Sequence, residues 1–337
     1  MVPLCPPRGR ALGRTVVVAG LSCALSGCGL IKGIAINNVA SMLADSGTSV
    51  TSDNDPDLVE AAIPTTLKVE EALLESTPKN TDLLMAACRL STEYAYAFLQ
   101  NKADRLGEEE HHDEVVELRD RALNMYLRGK GYCVRGLEEK YHGITAQLVK
   151  DPDAAAAAVS RIKNKKDVEL VYWTAASWGG AISLGRDKPG IIADFPAMRA
   201  LAERTLVLDD VWNQGAPHEL MITLDSLPAT LGGDPAKARA EFARAVDLQK
   251  NLSPGPYVAL ALGVSQPAQD KKEFVDLLTK ALAIDPAKDP DNRLVTLVEQ
   301  RLARALLTQL DTRFVGLQAL AAGGHRPVGE ALPFWRH

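Results

Sequence analysis

One phrase recurs in the second half of the chain and limits what it can fold into. It reads apolar, three residues, apolar, two residues, small, then Leu or Ile and an aspartate. In AKARAEFARAVDL it uses Ala238, Phe242, Ala245 and Leu248, and in KEFVDLLTKALAIDP it uses Phe274, Leu278, Ala281 and Pro286. A looser copy in AMRALAERTLVLDD uses Met198, Ala202, Thr205 and Asp210. Steps of three and four put these residues on one face of a helix, and one apolar stripe per helix has to be buried against a neighbour. The small position advances from 205 to 245 to 281. Sustained period-2 alternation of β-branched residues is hard to find, and Ala, Leu, Glu and Arg dominate the runs. The expected fold is all-α, built of stacked helical hairpins.

The repeat interval lies near the roughly 34 residues of a tetratricopeptide repeat, with insertions. It implies a cryptic TPR-like α-solenoid over residues 56–315. Two helices, Pro56 to Ser76 and Thr81 to Lys102, flank the short TPKN connection, with a break or restart expected at Pro64. A long helix from about Asp113 to Tyr141 follows. The stretch Asn164 to Arg186 carries VYWTAASWGGAI, and Gly-Gly-Asp234-Pro235 opens another helix.

The N-terminus reads as an export signal. Arg8, Arg10 and Arg14 precede TVVVAGLSCAL, an apolar stretch of eleven residues, too short to span a bilayer. Leu25-Ser26-Gly27-Cys28 resembles the bacterial lipoprotein box, in which the cysteine is lipidated and becomes the new N-terminus. Residues 1–27 are then a signal peptide, 28–55 a lipidated N-terminus with a short helix from Leu30 to Ala44 and a linker, and 316–337 a flexible Gly/Pro-rich tail. Gly29 after Cys28 leans toward the outer membrane, because aspartate there is the usual inner-membrane signal. Loss of the three arginines takes the formal charge from −5 to about −8. With no basic block, nucleic acid is excluded as a partner. Cys88 and Cys133 could pair in an oxidising envelope, but buried free thiols on helices are the plainer expectation.

Chemical motifs are few. TSDNDPD (51–57) has carboxylates at Asp53, Asp55 and Asp57, yet a calcium loop would need Gly where Leu58 stands and an acid where Pro64 stands. Ser52-Asp53-Asn54 precedes Ser160-Arg-Ile-Lys163, the reverse of the acyl-enzyme order. Asp55 as N-cap before Pro56 explains the stretch without a ligand. His111 and His112 are adjacent, so on a helix they diverge and cannot chelate one metal ion together. No nucleophile elbow, Walker loop or dinucleotide fingerprint is present, so neither an enzyme nor a cofactor is implied. Tyr172, Trp173 and Trp178 on one helix either fill a core or line a ligand cavity, and His218 after Gly-Ala-Pro is either a helix-start residue or a cavity residue.

Several phrases carry a resemblance. TSDNDPDLVEAAIPTTLKVEEALLESTPKN, LLMAACRLSTEYAYAFLQ, MYLRGKGYCVRGLE, VYWTAASWGGAI, GAPHELMITLDSLPATLGGDPAKARAEFARAV and EFVDLLTKALAIDPAKDPDNRLVTLVEQRLARALL run in order along the chain. Together they resemble the T-component proteins associated with TRAP transporters (the TatT family). The resemblance implies a periplasmic, all-helical lipoprotein that assembles as a homotrimer and carries its lipid on Cys28. It also implies work with a solute-binding protein of a tripartite ATP-independent transporter, with ligand passing through a pore, and no catalytic residues. The alternative is an envelope scaffold lipoprotein that binds peptides or assembly factors in a superhelical groove.

Overall fold

The computed structural model describes residues 47–314, and among these every regular element is helical. Cys28, the expected helix from Leu30 to Ala44 and the tail from 316 lie outside the described residues. Asp55 acts as the N-cap that its neighbours imply: its Oδ1 accepts from the backbone N–H groups of Asp57 and Leu58, at 3.1 Å each. Helix α1 (Pro56–Ser76) then runs straight through Pro64, where the sequence suggested a break. Pro64 sits on the exposed face, so water can satisfy the carbonyl left by its missing N–H. The opposite face of α1 buries Val59, Ile63, Leu67 and Leu74 against α2 (Thr81–Tyr94).

Beyond Tyr94 the chain stays helical but widens into a π turn, Ala95–Gln100, before Asn101–Leu106 resumes the α form. The longest helix, α3 (Glu108–Lys140), bends at His111 and lies beside both α2 and α4 (Val168–Leu184). A Cβ on Gly180 of α4 would run into the Tyr126 ring of α3, so the Gly-Gly pair marks a close approach of two helices. Cys88 of α2 and Cys133 of α3 are joined in a disulfide, with Cα atoms 5.3 Å apart. This corrects the expectation of free thiols. Both cysteines are fully buried, and only the α2–α3 packing brings them face to face. A bridge across 45 residues removes about 4 kcal/mol of chain entropy from the unfolded state.

The second half continues through α5 (Phe195–Asp209), α6 (Trp212–Asp225), α7 (Pro235–Leu248), α8 (Gly255–Leu260), α9 (Lys271–Leu282) and α10 (Arg293–Thr308). Of the repeated positions, Met198, Ala202, Thr205, Ala238, Ala245, Phe274, Leu278 and Ala281 are buried, and Phe242, Leu248, Asp210 and Pro286 are half-buried.

Helix α10 does not simply extend the stack. Its Leu294 and Val298 join the core formed by α1, α2 and α3. Arg301 pairs with Asp57 at 2.6 Å across 244 positions, and Gln309 Nε2 donates to the carbonyls of Asp104 and Arg105. The last helices close against the first, and a space is left between them.

Candidate functional site

That space is a cavity of about 700 Å³, within the usual range for small-molecule sites. Two departures from regular helix and one close approach shape its wall. The π turn presents Tyr96 and Phe98, and π turns inside α-helices are often associated with functional sites. Asn213 (φ 44°), Gln214 (φ 56°) and Gly215 (φ 86°) form a left-handed run inside α6. Two of these three are not glycine, and such residues are held in that conformation only by their surroundings, at about 1 kcal/mol or more each. The run holds Trp212 in the wall, its ring 4.9 Å from that of Tyr172. Third, Gly255 opens α8 hard against the carboxylate of Glu219, where a Cβ would collide with it.

The wall is acidic. Glu93, Glu169, Glu219, Glu299, Asp289 and Asp291 line it, and among the described lining residues Arg89 is the one base. Arg89 already faces Glu169 at 3.5 Å. Burial pushes the carboxyl of Glu299 up to about 7, with the nearby Glu219 adding to the rise and the hydrogen bond from Tyr96 (2.9 Å) opposing it. Burial also lifts Glu93 to about 7, against the pull of Arg89. Glu219 is raised by burial and partly held down by Gln249, whose Nε2 donates to it at 3.0 Å. Burial raises the Tyr172 phenol too, and the fields of Glu219 and Glu93 add to the rise. Three buried polar atoms at the wall have no protein hydrogen-bond partner: Glu299 Oε2, Gln249 Oε1 and Trp173 Nε1. Groups left in that condition cost free energy unless something answers them.

Of the residues singled out in the sequence, Tyr172 and Trp173 line the cavity, their rings edge to face at 5.2 Å. Trp178 and His218 do not. Trp178 is 1% exposed in the core, donates to Asp194 at 3.1 Å and lies under the ammonium of Lys130. One and a half turns separate it from Trp173, which puts it on the far side of α4. His218 turns away toward α7, where Nδ1 meets Glu241 at 2.5 Å. His111 and His112 are exposed, and the described residues contain no cluster of metal-ligating side chains. Cys28, the expected anchor, lies outside the described residues. Sequence reasoning missed Glu93, Glu219, Glu299, Tyr96 and Trp212. Only Glu299 left a signal: it stands three residues before Leu302 and four before Ala303, among the buried positions of α10.

Residues 52–314 match the family described as TRAP transporter T-component. The chain belongs to that family. A protein of Treponema pallidum (strain Nichols) described as uncharacterized is 29% identical over 273 residues, covering 81% of this chain and 84% of the relative. The T-component family is transport-associated and is not an enzyme family. No described helix is long and apolar enough to cross a membrane.

Proposed function

We propose that this T-component is an envelope lipoprotein, anchored through Cys28, that docks a periplasmic solute-binding protein and receives solute in its cavity. The observation that carries this reading is the cavity itself. It is lined by the aromatic pair Tyr172 and Trp173 and by buried polar atoms that the protein leaves without partners. A scaffold that gripped only peptides would have no use for buried, unpartnered carboxyls in the wall of such a cavity. The Cys88–Cys133 disulfide supports an oxidising compartment, as export through the N-terminal signal requires. A trimer, a pore through each protomer and outer-membrane residence follow from the family resemblance and from Gly29, and they belong to the same proposal.

The test is a pull-down of the tagged, lipidated chain from detergent-solubilised envelopes, with partners identified by mass spectrometry. Capture of one solute-binding protein supports the proposal. Assembly factors in its place, with no solute-binding protein even after crosslinking, would sink it. Labelled fatty acid should enter the wild-type chain and fail to enter Cys28→Ala.

A further inference from the structure

The cavity also carries information about what it holds. Six carboxyl side chains line it against one guanidinium, and that guanidinium is already engaged by Glu169. An anionic solute would find no described cation left over and would meet a wall of acidic side chains, each of them harder to ionise beside a second negative charge. Three aromatic rings, Tyr172, Trp173 and Trp212, stand together on one side, and ring faces attract cations. Glu299, on the same cavity wall and 98% buried, keeps Oε2 without a partner while Oε1 accepts from Tyr96. In its ionised form the carboxylate can only accept, so the group that completes it in that form is a donor or a positive charge.

We propose that the cavity binds an organic cation, a protonated amine or quaternary ammonium on an apolar frame, its charge between Glu299 and the aromatic rings. This inference rests on the reading of the cavity as a solute site. The unpartnered indole N–H of Trp173 adds a second requirement, an acceptor or π-face elsewhere on the ligand. Cation binding is linked to protons. Glu299 faces Tyr96 and Glu219, and Glu93 faces Arg89 and Glu169, so only the Tyr96 hydrogen bond and Arg89 favour the ionised forms, and burial outweighs both. A bound cation does favour them, so affinity rises as pH goes from about 6 to about 8, with proton release at the lower end.

The experiment is a titration of the purified full-length chain with phenylethylamine, benzyltrimethylammonium, 2-phenylethanol and phenylacetate. It is followed by tryptophan fluorescence and by calorimetry in buffers of different ionisation enthalpy. The two cations should bind at least about tenfold tighter than the alcohol, and phenylacetate weakest. Glu299→Gln should weaken the cations about tenfold, and Trp212→Leu should do so by removing a ring, whichever of the two variants folds better. Phenylacetate binding as tightly as the amines would overturn the charge assignment while leaving the cavity a solute site. If no probe binds while the solute-binding protein is still captured, the inference fails and the docking role survives. If capture fails as well, both fall together.

Discussion

Two concave regions of the molecule invite comparison because both are rich in charge. The first is a surface groove of about 420 Å³ between α7 and α9, and the second is the cavity between α2, α4, α6 and α10. In the groove most charges have a partner. Arg239 grips both oxygens of Glu273 at 2.5 and 2.9 Å, Lys272 meets Asp276 at 2.5 Å, and Asp270 caps the backbone N–H of Glu273. The Arg239 bond accordingly holds the Glu273 carboxyl below its ordinary range. In the cavity the carboxyls of Glu219 and Glu299 meet an amide, a hydroxyl and each other's fields, and they are pushed up. Acids that meet cations stabilise a fold, whereas acids gathered without cations burden it. The second arrangement makes sense where a ligand supplies the missing charge.

The sharpest way to break this comparison is to exchange core and cavity aromatics. Trp178→Ala removes a fully buried ring and should lower unfolding free energy by about 3–5 kcal/mol in denaturant titrations. Trp173→Ala should cost well under half as much and alter ligand binding instead. Similar losses at both sites would mean that the cavity is ordinary core.

Next comes pH. A carboxyl whose folded pKa is raised costs nothing below its unfolded value, near 4.5, and costs most above about 7. Glu299→Gln should therefore stabilise the protein at about pH 8 by up to roughly 3 kcal/mol, with no gain at about pH 4. Glu273→Gln should go the other way. Its ion pair is present above the ordinary carboxylate range and is lost on acidification, so the variant should lose up to about 1 kcal/mol at neutral pH and nothing in acid. Thermal midpoints of both variants across pH decide the matter, and parallel curves would erase the contrast.

A smaller effect concerns the strained run. Gln214→Gly should raise stability by about 1 kcal/mol or slightly less by relieving a left-handed glutamine. A freer backbone would hold Trp212 less firmly, so cation affinity should fall while stability rises. A variant that gains both would show that the strain has no part in the site.

Much of the fold was legible in the chain because its signals are local. Asp55, Asn80 and Asp234 cap the helices that their neighbours imply, and the apolar stripes of α1, α9 and α10 face the core. The all-helical class follows from that spacing, and family membership from phrases spread along the whole chain. The site was legible only in part. Tyr172 and Trp173 stood out, but Trp178 on the same helix looked equivalent. Their different fates depend on which neighbour each side of α4 meets.

By itself, then, the sequence determined the all-helical class and the capped starts at Asp55 and Asp234, because those depend on residues within one or two turns, while it misjudged Pro64 and the start of α3 at Glu108. Tertiary structure alone decided the Cys88–Cys133 bridge, the return of α10 onto α1 and the gathering of Glu93, Glu219 and Glu299 around one space. Those groups stand 80 to 206 positions apart. Their chemistry arises from shared desolvation and mutual fields, which exist only once distant helices have met.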